Sequence, residues 1–439
     1  MPPEELLKAM FDAAVQAALP SHRVSAFLPE PPAGRTVVVG MGKATAAMAQ
    51  AVEAHWPGQL PGQLSGPLSD SLSGPLSEPL SGLVVTRYGH GVPTQHIEVV
   101  EAGHPVPDDN GYRAAERILD LVSGLGPEDL VICLVSGGGS ALFTLPPAGI
   151  DLATVAALNK QLLKSGAAID QMNGVRKSLS RSSGGRLAAA AYPARVVSLV
   201  ISDVPGDGLE AIASGPTVGD TITPQAALEI LRSYNISIPT QVTAHLMSGN
   251  NPVIQPDDVR LSTTTHHLIA TPQQSLIAAA QVAQAHGYTP LILSDALEGE
   301  ARAVGRVQAG IAQQVRHHQQ PMPPPCVLLS GGETTVTITG KGGNGGRNGE
   351  FLLSLMNSLA GTAGIYALAA DTDGIDGVED NAGALFSPEL FAQAQQQQLS
   401  PQDFLDRHDS YTFFEALDAL VMTGPTLTNV NDFRAILIQ

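Results

Sequence analysis

The chain contains little cysteine and little positive charge, and both scarcities narrow its function. Only two cysteines occur in 439 residues, and both lie in apolar runs. This count excludes a disulfide scaffold and a cysteine-rich zinc module, and it favours a reducing compartment. Lysine and arginine number 23 against 41 aspartates and glutamates, a formal charge of −18. So acidic a chain argues against a nucleic acid or an anionic membrane surface as a partner.

Long apolar runs are also missing. No stretch approaches the roughly 20 apolar residues of a membrane span. The first residues, Met1–Glu5, lack the basic region of a secretory signal. We therefore expect a cytoplasmic protein with no membrane partner. Hydrophobic residues make up 43% of the chain and charged residues 15%, which is typical of a globular protein.

Several common catalytic and metal-binding patterns do not occur. The twelve histidines show no metal-ligand spacing. No Gly-x-Ser-x-Gly elbow lies at a predicted strand–helix turn, which argues against a serine hydrolase. The glycine turn after the first predicted strand is not a Walker A loop, because the spacer and the Lys-Ser/Thr pair are absent.

What the sequence does contain is an alternation of β-branched runs with alanine-rich helical stretches. This alternation predicts parallel α/β sheets. The length predicts two domains, and a proline-rich polar stretch at 237–258 sets the boundary, giving domains at residues 1–240 and 241–439. The predicted strands are Thr36–Gly40, Leu83–Thr86, Leu130–Val135, Arg195–Ile201, His267–Thr271, Pro290–Ser294, Cys326–Leu329, Thr334–Thr339 and Ile365–Ala370.

One segment is low in complexity. Leucine recurs every four residues from Leu60 to Leu80, in units close to Ser-Gly-Pro-Leu. The four prolines exclude a helix, so we predict a flexible surface insertion without function at about residues 58–82. The alternative is that the leucines cover a cleft as a lid or dock a partner subunit.

Two glycine-rich turns in the first half predict anion binding. Gly40 and Gly42 turn a strand into a helix at Lys43, where free N–H groups and a lysine charge would face an anion. The turn is close to a dinucleotide fingerprint, but Thr45 stands at the third glycine position and the second-strand acid is missing. A surface lysine at a helix start is the alternative. The second turn, Ser136–Ser140, has three glycines between serines and predicts a phosphate cradle, with tight-turn packing as the alternative.

Acidic residues at predicted strand ends suggest chemistry as well. Asp203 ends a buried strand and Asp207 follows across a Pro-Gly turn, a pair suited to Mg²⁺ or to a general base. Asp371 and Asp373 lie in an acidic loop that does not have the EF-hand pattern, and we predict ligand contact there. Turn and capping chemistry is the alternative for all four.

The glycine loop 340–350 precedes a predicted helix and carries Arg347, which could brace a phosphoryl group. A plain flexible loop is the alternative. The basic pair Arg176-Lys177, on another predicted helix, is interpreted as a solvated or salt-bridged face.

Taken in order, these segments resemble the class II glycerate kinases, two-domain enzymes whose C-terminal domain is called MOFRL. The resemblance runs from about residue 36 to the C-terminus, with the MOFRL-like region at about 326–435. Its matching stretches are Gly40–Ala44, Gly103–Pro107, Ser136–Ala141, Asn173–Lys177, Gly184–Ala188, Ile201–Asp207, Ala213–Thr217, Glu298–Arg302, Leu329–Thr334, Gly346–Asn348, Asp371–Gly377, Thr423–Thr426 and Asn429–Asp432.

The resemblance implies transfer of a phosphoryl group from ATP, with Mg²⁺, to D-glycerate, giving 2-phosphoglycerate in a monomer or homodimer. It implies an α/β fold of two three-layer domains, the first Rossmann-like and mostly parallel, the second with a smaller mixed sheet, and an active site in the cleft between them. The proposed catalytic residues fall on Lys43, Asp203 and Arg347, with Asp203 as base or metal ligand. The predicted phosphate- or substrate-binding residues are Ser136, Gly137, Gly138, Gly139, Ser140, Gly331, Gly332, Glu333 and Asn348, and the predicted metal ligands are Asp207, Asp371 and Asp373.

Departures from the family pattern occur at Gly349, where glutamine is usual, at Ser178, where histidine is common, and at Ser182-Ser183. Two other functions stay open. Members of this family have often been named hydroxypyruvate reductases that use NAD(P), although Thr45 argues against it. A non-catalytic nucleotide- or anion-binding protein on the same fold is the other alternative.

Overall fold

A computed structural model describes residues 1–56, 80–250, 252–338 and 340–439. The predicted insertion at 58–82 therefore lies outside the described residues, except for its last three. Leu80 is buried, and Ser81 already belongs to a strand.

The strands in the described residues are numbered along the chain. They are β1 Thr36–Met41, β2 Ser81–Arg87, β3 Ile97–Ala102, β4 Leu130–Val135, β5 Arg195–Ile201, β6 Thr264–Ala270, β7 Thr289–Ser294, β8 Gly299–Glu300, β9 Cys326–Ser330, β10 Thr334–Thr335, β11 Ile365–Asp371, β12 Gly383–Phe386, β13 Leu420–Val421 and β14 Asp432–Ile438.

The α-helices are numbered in the same way. They are α1 Pro3–Ala18, α2 Pro20–Arg23, α3 Thr45–His55, α4 Asp109–Val122, α5 Gly139–Leu142, α6 Leu152–Ser165, α7 Ile169–Ser178, α8 Arg186–Ala191, α9 Pro224–Ser233, α10 Thr240–Ser248, α11 Pro272–Ala285, α12 Ala301–His318, α13 Arg347–Leu359, α14 Pro388–Gln396, α15 Pro401–Asp406 and α16 Ser410–Ala416. None of these described helices is both long and apolar enough to cross a membrane.

The chain forms two compact units. The parallel-sheet unit comprises Arg23–Ile201 and Gly208–Ile269, and the mixed-sheet unit comprises Met1–His22, Ser202–Asp207 and Ala270–Gln439. The prediction of an α/β fold, with one parallel and one mixed sheet, is confirmed.

The parallel-sheet unit has the strand order β3-β2-β1-β4-β5-β6 in its described residues. This is the order of Rossmann folds, and neighbouring strands run parallel. Strands β1 and β4 are buried along their whole length, which explains why they read as continuous apolar runs. Loops at their carboxyl ends carry Lys43 and the glycine triplet.

The described part of the mixed-sheet unit has the order β13-β12-β11-β14-β9-β7. Strand β14 lies antiparallel between β11 and β9, and β7 pairs parallel with β9. Along β11, Ala367 and Ala369 face α12 and α13, whereas Leu368 and Ala370 face α1 and α11. This alternation is the two-residue period of a strand with helices on both faces, and it makes the unit three-layered.

The two units differ from the predicted division at residue 240. Helix α1 buries Leu7, Met10 and Phe11 against the mixed sheet and α11, so the N-terminus belongs with the C-terminal half of the chain. Strand β6 is an edge strand of the parallel sheet, so the first unit extends past the polar stretch that suggested a boundary.

Candidate active site

The backbone amides of the turn between β1 and α3 are hydrogen-bonded to the loop that follows β4. The N–H of Lys43 donates to the carbonyl of Gly137 at 2.8 Å, and the N–H of Ala44 donates to Ser136 Oγ at 3.0 Å. The Thr45 hydroxyl donates to the carbonyls of Gly42 and Val85. The amides expected to face an anion are thus bonded to protein acceptors, and any anion contact at this turn depends on the Lys43 side chain.

The loop after β4 is hydrogen-bonded to this turn and packs closely against it. Ser136 is wholly buried and caps Ala44. A Cβ added at Gly42, where φ is +135°, would lie 2.2 Å from Ser136 Oγ, and one at Gly139 would lie 2.5 Å from the Ala213 Cβ. Ser136 and Gly139 therefore pack closely against neighbouring segments, and the Gly137 carbonyl is the acceptor for the Lys43 N–H. The phosphate contacts expected of these residues stay predictions. Close approach of chain segments is the reason for the glycines.

Gly138 is the half-exposed member of the triplet. Its φ is +80°, and a Cβ there would lie 3.0 Å from the His104 ring and 3.3 Å from Lys43 Cγ. Ser140 shares a hydrogen bond of 2.8 Å with the Ser214 hydroxyl. Lys43 and His104 thus flank Gly138.

Arg347, the first residue of α13, is held by carboxylates. Its Nε donates to Asp432 Oδ1 at 2.7 Å, and its Nη2 donates to Asp371 Oδ2 at 2.6 Å. Glu333 Oε1 lies 3.7 Å from Nη1. Burial alone would lower the pKa of Arg347, but the charges of Asp432, Asp371 and Glu333 raise that pKa well above its usual value. The guanidinium is therefore permanently charged and fixed in direction.

Asp432 is the centre of this cluster. It is wholly buried, and its Oδ2 also accepts a hydrogen bond from Arg434, which is itself wholly buried under Phe351. Arg434 in turn donates to the carbonyl of Gly331 at 3.2 Å. Because a buried carboxylate needs partners on both oxygens, Asp432 and its two arginines form one interdependent unit.

The start of α13 is capped by a distant carboxylate. The N–H groups of Asn348 and Gly349 donate to the two oxygens of Asp376 at 3.0 and 2.8 Å. Burial raises the pKa of Asp376 to about 6, against the opposing effect of these two N–H donors. Asn348 is fully buried and donates through Nδ2 to Asp432 at 2.8 Å. It thus supports the arginine cluster, and its role as a phosphate ligand stays a prediction.

Gly331 and Gly332 follow β9 where the chain passes the backbone of residues 295–297. A Cβ added at Gly332, whose φ is +107°, would lie 2.2 Å from the Leu297 amide nitrogen. Both glycines are buried, and close packing leaves no room for a side chain at Gly332. The substrate contact expected of both glycines stays a prediction. Glu333 is exposed beside Arg347, where the prediction of substrate contact stays open.

Asp203 meets the segment that precedes β14. Asn429 Nδ2 donates to Asp203 Oδ2 at 3.1 Å, and Asn431 Nδ2 donates to the Asp203 carbonyl. The side chain of Asp203 is half-buried. It comes two residues after β5, as the sequence predicted.

The predicted metal ligands are engaged to different degrees. Asp371 Oδ2 bonds Arg347, and its Oδ1 accepts the Asp373 N–H. Asp373 accepts the Ile375 N–H in an Asx turn. Asp207 has a φ of +57°, and its buried Oδ1 has no hydrogen-bond partner in the described parts of the chain. Those parts contain no cluster of three or more His, Cys, Asp or Glu side chains arranged for a metal.

Lys177 is buried and pairs with Asp220, which fits the salt-bridged interpretation of the Arg176-Lys177 pair. Lys177 and Asp220 line a pocket of about 420 Å³ in the parallel-sheet unit, together with Asn173 and Glu210.

The structure thus brings together Arg347, Asp371 and Glu333 among the predicted residues. Lys43 lies in the parallel-sheet unit, and Asp203 and Arg347 lie in the mixed-sheet unit. Residue-by-residue interpretation missed Asp432, Asp376, Asn429 and His104. Each lies in one of the stretches on which the family resemblance rests, so the resemblance was the signal that could have identified them.

Two protein-family models match parts of this chain. Residues 6–247 match the model of a domain of unknown function, DUF4147, and residues 326–432 match the MOFRL family.

The names of similar proteins indicate two different activities. A putative hydroxypyruvate reductase of Agrobacterium vitis is 51% identical over 99% of this chain and 94% of its own. A D-glycerate 2-kinase of Thermotoga maritima is 38% identical over 98% of both chains. The crystal structure of a glycerate kinase from Thermotoga maritima superposes with a TM-score of 0.84 at 37% identity, covering all of both chains.

Proposed function

Because this chain belongs to the glycerate kinase family that joins a DUF4147 region to a C-terminal MOFRL region, we propose that it transfers the γ-phosphoryl group of ATP to D-glycerate, giving 2-phosphoglycerate. In this reaction a hydroxyl oxygen of glycerate bonds to the γ-phosphorus and the bond to the bridging β-phosphate oxygen breaks. The hydroxyl proton passes to a base, and ADP leaves.

The observation that carries the proposal is the fixed guanidinium of Arg347. Phosphoryl transfer depends mainly on positioning and on stabilising charge that spreads over the phosphoryl oxygens. A guanidinium held by Asp371 and Asp432 does not reorganise when that charge develops, so its stabilisation is available at once. Lys43 would supply a second positive charge, and Asp203 would accept the hydroxyl proton.

The charge around Arg347 also supports a requirement for Mg²⁺. Two arginines, Arg347 and Arg434, face four carboxylates there: Asp371, Asp376, Asp432 and Glu333. A polyphosphate cannot approach a net negative cluster without a counter-ion, and Mg²⁺ takes one or two carboxylates along with phosphate oxygens and waters. Asp207 Oδ1, which is buried and has no hydrogen-bond partner among the described residues, could serve as a ligand for such an ion. We expect removal of divalent cations by EDTA to abolish turnover and added Mg²⁺ to restore it.

A hydroxypyruvate reductase is the second candidate, because a relative at 51% identity carries that name. Dinucleotide sites of the Rossmann type hold the pyrophosphate on backbone N–H groups at the first helix. Here the N–H groups of Lys43 and Ala44 are bonded to Gly137 and Ser136. This observation favours the kinase.

A paired assay separates the two activities. We expect ADP release from ATP that depends on D-glycerate, and no oxidation of NADH or NADPH with hydroxypyruvate. Oxidation of a nicotinamide without glycerate-dependent ADP release would make the reductase the correct function. Binding of ATP with neither reaction would leave a non-catalytic binding protein.

A further inference from the structure

Two asparagines from one short segment contact Asp203. Asn429 donates to the carboxylate and Asn431 donates to the backbone carbonyl of the same residue. The Asn429 contact joins residues 226 positions apart in the chain. Both asparagines are at most 3% exposed, so both donors are in the protein interior, where the loss of a hydrogen bond is costly.

The orientation of the Asn429 amide is fixed by its other end. The N–H of Asn431 donates to Asn429 Oδ1 at 3.3 Å, so the oxygen is occupied and Nδ2 must point to Asp203. Asn431 adopts a φ of +66°, a left-handed conformation that asparagine tolerates better than most residues. Thr372 then anchors the segment, because its hydroxyl donates to the Asn431 carbonyl at 2.7 Å and accepts the Val430 N–H at 2.9 Å.

We infer that Asn429 is a positioning residue for Asp203, which fixes the plane of the carboxylate by holding its Oδ2. This inference rests on the proposed function, in which Asp203 accepts the hydroxyl proton of glycerate. A base must meet the proton within hydrogen-bond reach, and a displacement of about 1 Å can cost about 100-fold in rate. Asn429 itself needs no contact with the substrate.

The segment has a second support role in the same unit. Two residues after Val430 the chain reaches Asp432, which holds Arg347 Nε at 2.7 Å. One run of four residues, Asn429–Asp432, therefore supports two of the three proposed catalytic side chains. This common support gives a reason for two asparagines and an aspartate to be buried together at the start of β14.

The first test is Asn429→Asp, which keeps the shape of the side chain but replaces the amide donor with a negative charge. Two carboxylates then face each other where a hydrogen bond stood, and Asp203 turns away. We expect kcat on D-glycerate to fall by about 10- to 100-fold, while KM for ATP stays within about threefold. Asn429→Gln keeps the amide donor and should recover part of kcat.

The second test exchanges the pair. In the double variant Asp203→Asn/Asn429→Asp, an amide again meets a carboxylate with the donor on the other side. We expect Asn429→Asp alone to lower the melting temperature and the exchange to restore most of it, while kcat stays as low as in Asp203→Asn. The matched control is Asn357→Asp, because Asn357 donates to Gln402 at the protein surface, and it should leave kcat and the melting temperature unchanged.

The inference is overturned if Asn429→Asp keeps the wild-type kcat in an active enzyme, or if the exchange restores no stability. A wild type that shows no glycerate-dependent turnover contradicts the proposed function instead. In that case the melting temperatures still decide whether Asn429 and Asp203 are in contact.

Discussion

The two sets of predicted anion-binding residues are built in different ways. In the parallel-sheet unit, Lys43 stands on a glycine turn whose backbone and hydroxyl groups bond to one another. In the mixed-sheet unit, Arg347 is held by the carboxylates of Asp371 and Asp432, and Asp432 is wholly buried. Glycines at a strand end allow chain segments to pack closely, whereas buried carboxylates fix the direction of a charged side chain. We therefore expect substitutions in the two units to separate activity from stability.

The largest effect is expected for Arg347→Ala. Removal of one preorganised electrostatic contact lowers kcat by roughly 10²–10³. The buried carboxylates of Asp371 and Asp432 also each lose one charged partner, which costs about 3–5 kcal/mol of unfolding free energy. Chemical denaturation and the ADP assay measure the two quantities. Lys43→Ala should lower kcat equally with little loss of stability, and the exposed Arg316→Ala should change neither. Equal stability of the Arg347 and Lys43 variants would contradict the conclusion that Arg347, unlike Lys43, stabilises buried carboxylates.

Next in size is the pH dependence that Asp376 causes. Its folded-state pKa, raised by burial to about 6, lies above the unfolded value of 3.8. The folded protein therefore binds more protons than the unfolded chain between about pH 4 and 6, and stability falls as pH rises through that window.

The Asp376→Asn variant tests this directly. Its unfolding free energy relative to wild type should rise by up to about 3 kcal/mol between pH 4 and pH 7. Asp258→Asn should show no such rise, because the hydrogen bond from Arg260 holds the pKa of Asp258 at about 2, below this range. If the difference in unfolding free energy between Asp376→Asn and wild type does not change with pH, the Asp376 carboxylate at the start of α13 does not titrate in this range.

A smaller effect is expected for Ser136→Ala. The substitution leaves the buried Ala44 N–H without its acceptor, which costs about 1–3 kcal/mol, while kcat should change less than threefold. Ser123→Ala, which removes an exposed hydroxyl that donates to Leu119, is the control. A loss of kcat near that of Lys43→Ala, with unchanged stability, would support the prediction that Ser136 contacts phosphate.

The smallest effect is expected for deletion of residues 62–79 from the low-complexity segment. The cut stops before Leu80 because that leucine is buried next to β2. Loop-closure entropy changes by only about 0.6 kcal/mol per doubling of length, so stability and KM should hardly change. A clear rise in KM, or a change of oligomer size in gel filtration, would support the lid or docking interpretation.

The sequence predicted the α/β class and the central strands of the parallel sheet because β1, β4 and β5 are rich in apolar, β-branched residues. It missed β3, β8, β12, β13 and β14, and the predicted strand Thr334–Thr339 is only Thr334–Thr335. Strand β14 carries Asp432 and Arg434, whose charges hid its apolar character. The partners of Arg347 and Asp203 lie 85 and 226 residues away. Local patterns therefore found both side chains and Asp371, and missed the distant partners Asp432 and Asn429.

The most direct test of the account is phosphorus NMR of the product formed from D-glycerate, ATP and Mg²⁺. We expect the resonance of 2-phosphoglycerate to grow together with ADP in the wild type, and to grow at least about 100-fold more slowly with Arg347→Ala. A product phosphorylated elsewhere would contradict the proposed position of transfer. No phosphorylated glycerate at all would contradict the assignment of this chain as a working kinase.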